Sequence, residues 1–494
     1  MEIAGVNIVG NKFSKVGDNQ FKTFNPEKFT NNDWIFTDAN DSEIEKACLL
    51  AEEAFPAFRK ISGAKRAEFL ETIIRYLEKN REELIAVFQA ESGLTEQRAE
   101  IELTRTIFQI QTYADLVKNN WPEKIVDPAN PNREGNPKPS LVKSTVPLGP
   151  IVVFGASNFP FAYSTIGGDS ASALAAGCPV IVKSHPMHAG TGELVAKCVQ
   201  AAAIITNMPN GVFSNLNIQQ NEIAEKLIMN SAVKGIGFTG SISGGRAIYD
   251  IAAKRKDIIP VFAEMGSTNP VVISEHSLQN HHKWAKMLAD SLVNGNGQFC
   301  TCPGMIFAIE SEDYDWFKAD LKAELKQKAP QYMLHPSIKR SFCDLAGQLA
   351  PQELDQTITD LLVNPSVVEL SGTAFISNQK AREEVFGPFA VLVTCASFEE
   401  LLACMKVLDG QLTGTLIAKE SELNDFQALI DIYETKVGRI IFNGVPTGVE
   451  VSPAMTHGGP YPASTDARFT AVGPDAIKRW IRPITYQNID QNLI

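Results

Sequence analysis

The run Asn294-Gly-Asn-Gly-Gln-Phe-Cys300-Thr-Cys-Pro-Gly304 places a cysteine at the end of a small, Gly/Asn-rich loop. Glycines there let backbone N–H groups come close to a ligand, because no Cβ stands in the way. The thiolate is the strongest ordinary protein nucleophile at neutral pH, so Cys300 is the first candidate for attack on an electrophile. Upstream, Phe262-Ala-Glu264-Met-Gly-Ser-Thr-Asn-Pro270 sets a carboxylate beside another small-residue turn. Further upstream, Phe154-Gly-Ala-Ser-Asn158-Phe-Pro160 ends an apolar run with an amide. Thiol, carboxylate and amide are the groups needed to attack a carbonyl, activate water and hold an oxyanion. Each alone has a bland explanation: an isolated cysteine is usually structural and an isolated glutamate usually a surface charge. Three in such settings point to one site.

The elements that must carry these groups are legible as periodic runs. Asp41 to Asn80 reads as helical, with Asn40, Asp41 and Ser42 as N-caps and Ile44, Ala47, Ala51 and Phe55 at helical spacing. Lys65 to Leu77 repeats the pattern, and a third helix is expected from Thr95 to Val117. Trp121 to Pro150 is rich in Pro, Asn and charge and reads as a projecting loop or hairpin. Beyond it, short apolar runs alternate with helical stretches. The runs are Ile151–Phe154, Val180–Lys183, Val233–Phe238 and Val261–Glu264, then a second series at Val271–Ser274, Met305–Ile309, Ala390–Thr394, Leu412–Ile417 and Arg439–Phe442. Such runs separated by helices predict an α/β fold with doubly wound parallel sheets.

Composition narrows the classes. The chain has 494 residues, 44% hydrophobic and 21% charged, as an ordinary globular protein of several domains does. A net charge of −12 argues against nucleic acid or an anionic membrane as partner. The start, Met-Glu-Ile-Ala-Gly, lacks the basic and apolar regions of a signal peptide, and no apolar run reaches the ~20 residues of a membrane span. The eight cysteines are scattered without CxxC or Cys/His metal spacing, so no metal is expected. Reduced thiols and a cytoplasmic location are expected, with Cys302 a neighbour of Cys300 and not a ligand.

Gly235-Ile-Gly237-Phe-Thr-Gly240 satisfies G-x-G-x-x-G, closes a strand and precedes a helix, whose N-terminus suits a pyrophosphate. No acidic residue for the ribose follows at the usual distance. With Val182-Lys183, Phe238-Thr-Gly-Ser241, Glu264-Met-Gly, Gly297-Gln-Phe-Cys300 and Glu383-Glu384-Val-Phe-Gly-Pro388, in this order, the chain resembles the aldehyde dehydrogenase superfamily over almost its full length. Lys183-Ser-His-Pro186 and His457-Gly-Gly-Pro-Tyr-Pro-Ala-Ser-Thr-Asp-Ala-Arg-Phe469 resemble in particular the NADP-linked α-ketoglutarate semialdehyde (2,5-dioxopentanoate) dehydrogenases.

The resemblance implies a division into a dinucleotide-binding domain (1–120 and 146–264), a catalytic domain (265–470) and an oligomerisation arm (121–145 and 471–494). It implies that Ser241 contacts the pyrophosphate, with Gly240 and Gly245 at the helix start beside Phe238. Lys183 would bind the adenosine ribose and Glu384 the nicotinamide ribose, with Phe386 packed against it. Where NAD-preferring relatives often carry Glu, this chain has Pro186. A like-charge penalty of about 1–3 kcal/mol against a 2′-phosphate is thereby absent. Lys183, Ser184 and His185 offer donors, so NADP is expected as preferred cofactor with NAD accepted.

The implied chemistry is attack by Cys300 on an aldehyde, an oxyanion held by Asn158 and the Cys300 N–H, hydride transfer, and hydrolysis of the thioester by water that Glu264 activates. Asn269 and Gly266 are expected to shape the turn holding Glu264. A CoA-acylating enzyme is disfavoured by the presence of Glu264. A thiol hydrolase would need a histidine partner, for which His457 is the one tempting candidate. An inactive binding protein on this scaffold is the remote alternative. The subfamily resemblance implies α-ketoglutarate semialdehyde as substrate, whose distal carboxylate needs a cation or donors. Arg105 is the first candidate anchor and Ser464 the second; the alternative for Arg105 is a surface arginine paired with Glu100 or Glu102. Medium-chain aliphatic aldehydes are the other substrate class, with Phe159, Phe161 and Ile166 as an apolar tunnel wall. The hairpin and tail resemble the projecting strands through which this family forms dimers and tetramers, so the resemblance implies a homodimer or homotetramer, with Ile484 to Ile489 apolar enough to extend a partner's sheet.

Overall fold

The protein, seen as a computed structural model, is described at residues 1–119, 121–122, 124–350 and 360–489. Among these residues two sheets carry the fold. The first has seven strands. Val261–Glu264, Gly235–Thr239, Ile151–Phe154, Val180–Ser184 and Phe213–Asn217 lie side by side in parallel, and Asn7–Val9 and Lys12–Ser14 close one edge antiparallel. The second has six parallel strands: Ser366–Ser371, Phe389–Cys395, Met305–Ile309, Val271–Ile273, Gln411–Ile417 and Val437–Phe442.

Both sheets are covered on both faces, and the period-2 alternation of strand side chains sorts the cores. Ile151, Val153, Val180 and Val182 enter one cluster, whereas Val152, Phe154, Ile181 and Ile236 enter another across the sheet. In the second sheet Met305, Phe307, Val391 and Val393 face one cluster, and Ile306, Ala308, Ala390 and Leu392 the other. Most of these strands are buried on both sides and apolar along their length, which is why those runs stand out in the sequence.

Some elements differ from the sequence expectation. The helical stretch from Asp41 splits into Asp41–Phe58 and Gly63–Lys79. Asn40 and Glu43 form a reciprocal capping box for the first, and Ser62 caps the second. A further helix, Arg81–Ser92, ends at Gly93, whose φ of +65° suits glycine. The strands Asn7–Val9 and Phe213–Asn217 had no counterpart in the sequence reading. Phe213-Ser-Asn-Leu-Asn217 is wholly buried yet half polar, so no apolar run announces it. The antiparallel edge makes the first sheet mixed, where an all-parallel sheet was expected.

The segment after Trp121 forms a separate three-stranded antiparallel sheet. Leu141–Pro147 pairs along its length with Ile481–Gln487 and, on its other side, with Ile125–Asp127. Residues 120, 123 and 490–494 of the expected arm lie outside the described residues.

What matters for function is which strand ends meet. Asn158, Gly240 and Glu264 stand at or just beyond the carboxyl ends of parallel strands of the first sheet, where open α/β sheets place ligands. Asn269, Cys300 and Glu384 each lie a few residues before the amino end of a strand in the second sheet. One sheet thus feeds a common cleft from its carboxyl edge and the other from its amino edge.

Candidate active site

Cys300 is half-buried at the bottom of this cleft. Its loop is bent by Gly295, Asn296 and Gly297, all at positive φ, and a Cβ on Gly297 would collide with the backbone of Gly387 and Pro388. Asn158 reaches over the loop and donates its Nδ2 to the Gln298 carbonyl at 2.9 Å. Asn269, fully buried, donates Nδ2 to the carbonyls of Cys300 (2.8 Å) and Cys302 (2.9 Å). Its Oδ1 accepts from Ser267 Oγ and Thr413 Oγ1. Asn269 therefore pins the cysteine loop and also bonds Ser267 inside the turn that follows Glu264. Cys302 turns into the core, its Sγ facing the carbonyls of Leu292 and Gly387.

Glu264 is 4% exposed. His457 Nε2 stands 3.1 Å from its Oε2 and 3.8 Å from Cys300 Sγ. Reactive atoms of Glu264, Cys300 and His457 all lie within 4.8 Å of one another. Neither oxygen of Glu264 receives an aligned hydrogen bond among the described residues, an uncommon state for a buried carboxylate. The Cys300 thiol is pushed well above its ordinary range, first by burial, then by the Glu264 carboxylate, with Glu384 adding. Burial, with Glu264 adding, also lifts Glu384 to about 8.

Two cavities meet at the thiol. One, about 250 Å³, is lined by Asn158, Gly240, Ser241, Glu264, Glu384 and Phe386 with Cys300 at its end. Its glycine turn is tight: a Cβ on Gly240 would stand 2.7 Å from the Phe238 ring, and one on Gly266 would strike the Glu384 carboxylate. Ser241 caps the helix Ile242–Ala252, whose first turn faces this end. An anion-favouring helix start, a bare glycine turn and a half-buried carboxyl for a sugar hydroxyl fit a dinucleotide. The other cavity, about 500 Å³, is lined by Arg98, Arg105, Arg439, Phe159, Tyr163 and Phe299 around Cys300. A larger cavity, about 760 Å³, opens past Arg98 toward Gly93–Gln97 and reaches none of the thiol, carboxylate or amide.

Comparison with known proteins supplies the family. Residues 13–338 match the aldehyde dehydrogenase family. The chain is 39% identical, over its whole length and 96% of the relative, to alpha-ketoglutaric semialdehyde dehydrogenase 2 of Azospirillum brasilense. It belongs to the aldehyde dehydrogenase family. A second relative, alpha-ketoglutaric semialdehyde dehydrogenase of Acinetobacter baylyi, is 37% identical over 93% of this chain and 89% of its own. A 1-pyrroline-5-carboxylate dehydrogenase from Thermus with bound NAD superposes with a TM-score of 0.84 at 20% identity, covering 98% of this chain and 92% of that one. The chain is thus an NAD(P)-dependent aldehyde dehydrogenase, and no helix among its described residues is long and apolar enough to cross a membrane.

In this dehydrogenase several residues sit elsewhere than the sequence predicted. Phe161 and Ile166 are 1% exposed in the main core, Phe161 stacked on Phe88, and line neither cavity. Ser464 donates to the Gly459 carbonyl behind Glu264 and does not line the arginine cavity. Ser184 turns under the following helix, where a Cβ on Gly192 would lie 2.6 Å from its Oγ, so it is no phosphate donor. Gly245 lies in the first turn of helix Ile242–Ala252, as expected, packed against Met265 and Phe238. Proximity to a motif does not tell which way a side chain points.

Others are half-buried. Lys183 is half-buried at its strand end, lowered to about 8 by burial with Asp38 opposing. His185 accepts from Met187 N and stacks on His188, and burial with the nearby His188, Lys183 and His335 keeps it neutral. Pro186 opens the short turn that follows. Phe159 stands in the arginine cavity, edge-on to Tyr163 and Phe299. Arg439 and Tyr163 were not singled out from sequence. A lone cation inside the apolar run Val437-Gly-Arg439-Ile-Ile-Phe442 was the available signal for the first.

Proposed function

We propose that this dehydrogenase oxidises α-ketoglutarate semialdehyde to α-ketoglutarate. One observation carries the reading: two arginines in the substrate cavity have no carboxylate partner. Arg105 donates to Gln109 Oε1, Tyr163 OH and the Val449 carbonyl, and Arg439 to the carbonyls of Gly448 and Pro446. Neither has an ion pair among the described residues. The pairing weighed for Arg105 is absent, because Glu102 is taken by Arg98 at 2.6 Å and Glu100 by Arg81. The exposed Glu450 also lines the cavity, its Oε1 accepting from Val451 N. Uncompensated guanidinium groups held by neutral acceptors favour a substrate that brings its own carboxylate. The names of the two curated relatives agree with this choice.

In this reading Cys300 Sγ bonds to the aldehyde carbon, and the oxygen takes up the carbonyl electron pair. Asn158 Nδ2 and the Cys300 N–H stabilise that oxyanion, a contribution of about 3–4 kcal/mol. The dinucleotide, when bound, supplies the hydride acceptor. Glu264 takes a proton from the water that attacks the Cys300 thioester. Lys183, with the uncharged Pro186 near it, favours NADP over NAD; Gly240, Ser241, Glu384 and Phe386 hold the rest of the dinucleotide. The two sheet units correspond to a dinucleotide-binding domain (1–120 and 146–264) and a catalytic domain (265–470). The three-stranded arm, with Ile125 61% and Val126 46% exposed on its edge, joins subunits into a dimer or tetramer. Eight free cysteines suit the cytoplasm.

The test is kcat/KM for the semialdehyde, glutaraldehyde, hexanal and decanal, each with NADP and NAD. The semialdehyde should lead, and NADP should serve better. Hexanal as the better substrate sinks the substrate reading. A tenfold advantage of NAD sinks the cofactor preference. A monomer by light scattering at micromolar concentration sinks the role given to the arm.

A further inference from the structure

Outside the cleft, two neighbouring helices bring His281, His282 and Asp320 together. The histidines open the helix His281–Val293, and Asp320 lies on Glu312–Lys326. The two helices share a core that includes Trp284, Leu288, Phe317 and Leu321. His281 Nδ1 stands 2.5 Å and His282 Nδ1 2.6 Å from one and the same oxygen, Asp320 Oδ2. The rings are 4.2 Å apart between centres, and one ligand atom from each of the three residues lies within 4.8 Å of the others. Nearby charges are already matched: Lys318 with Asp315 and Glu369, Lys322 with Glu369, and Lys286 with Asp290. Lys283 sits over the Trp284 ring at 4.1 Å. Among the described residues Asp320 has no ion pair but these two imidazoles. His281 and Asp320 are largely covered, their side chains 20% and 22% exposed, whereas His282 is open to water at 79%. The spacing of Cys and His does not disclose this group, because Asp320 comes 39 residues after His281.

We propose that His281, His282 and Asp320 form a surface site for a divalent transition cation, zinc being the representative, with water completing its coordination. Without an ion, two rings can share one oxygen only if each holds a hydrogen on Nδ1. An ion satisfies all three atoms at once. Each ring gives the Nδ1 lone pair, Asp320 gives a carboxylate oxygen, and any hydrogen on the Nδ1 atoms passes to water. Two imidazole nitrogens with one carboxylate oxygen suit zinc, copper or nickel, whereas magnesium and calcium want oxygen ligands throughout. Ligand atoms about 2.1 Å from a tetrahedral ion stand about 3.4 Å apart, so the rings and the carboxylate must separate by roughly 1 Å as the ion enters. The exposed ring of His282 has room to do so. The ion would tie the start of His281–Val293 to its neighbour, some ~20 Å of helix away from the loop that carries Cys300. Its effect is on the stability of that helix pair and not on the reacting groups.

The experiment is isothermal titration of the untagged full chain with zinc chloride at pH 7.5. It is done in a Cys300→Ala background, because Cys300 with Glu264 and His457 is the other trio of ligand atoms this close together among the described residues. That parent is compared with the same chain carrying His282→Ala or Asp320→Asn. The parent should bind one zinc per chain, and both variants should bind it at least tenfold more weakly. Zinc should raise the Tm of the parent and leave that of the variants unchanged. No binding by the parent, or equal binding by all three, overturns the proposal. Magnesium chloride should give no binding, and equal affinity for magnesium overturns the assigned class of ion. If the variants fail to fold, as judged by circular dichroism, the parent alone decides. Zinc should then slow modification of His281 and His282 by diethyl pyrocarbonate at least fivefold relative to the exposed His276, as read by peptide mass spectrometry. Unchanged modification overturns the site.

Discussion

The two cavities that meet at Cys300 are built from opposite kinds of group, guanidiniums in one and carboxyls in the other. On the side of Phe159 and Tyr163 stand Arg105 and Arg439, hydrogen-bonded only to neutral acceptors among the described residues. On the side of Gly240 and Ser241 stand Glu264 and Glu384, half-buried or buried, the latter lifted to about 8. The thiol lies on the boundary. The guanidinium side suits an anionic aldehyde, while burial and then the Glu264 carboxylate hold the sulfur protonated. Separating the charges lets one site favour an anion at its mouth and still use carboxylates at its base.

The largest expected effect lies on the boundary itself. Cys300→Ala should abolish oxidation of every aldehyde while dinucleotide binding, followed by fluorescence titration, stays near wild type. Next comes the carboxylate side. Glu264→Gln should lower kcat by about 10²–10⁴ and leave an acyl-enzyme visible as a burst of reduced nicotinamide followed by near-silence. A variant that turns over steadily at wild-type rate removes Glu264 from the hydrolytic step.

The arginine side offers an internal control. Arg105→Ala should cost roughly 2–4 kcal/mol in kcat/KM for the semialdehyde and far less for hexanal. Arg98 is neutralised by Glu102 and stacks on Phe159 and Phe299, at 4.5 and 5.2 Å from the ring centres. Arg98→Ala should therefore weaken both substrates alike. Equal losses from Arg105→Ala would make that residue structural too.

The smallest effect is on stability. Folding raises the Glu384 carboxyl from 4.5 to about 8. Between these values the native state keeps a proton that the unfolded chain has lost. Its contribution to stability is therefore complete below the lower value and fades as pH rises through the upper. The Tm of the ligand-free enzyme should fall from pH 6 to pH 9, and fall less in Glu384→Gln. Identical slopes would mean that Glu384 titrates normally.

Much of this site could be read before any coordinates. Cys300, Glu264 and Asn158 stood out because each ends an apolar strand-like run or sits in a glycine-rich turn, and those contexts are local. Most sheet strands were legible for the same reason, since they are buried on both faces and apolar along their length. Helix Arg81–Ser92 and strand Phe213–Asn217 were not, because one follows its predecessor directly and the other buries polar side chains against neighbours distant in sequence. Phe161, Ile166, Ser184 and Ser464 were given to the cavities from nearness to motifs, yet each points into packing.

The order of the chemistry-bearing residues and the alternation of strands and helices were set by the sequence alone, because glycine conformation and burial periodicity are properties of short segments. Which groups face the thiol was decided by tertiary structure. His457 meets Cys300 and Glu264 because the loop after it packs Gly459 against Gln411 and Gly438 and bridges Ser464 to Glu264. Arg105 is free of Glu102 only because Arg98, one helical turn and more away, reaches that carboxylate first. Both are contests among side chains for partners in three dimensions, and a linear pattern does not say who wins.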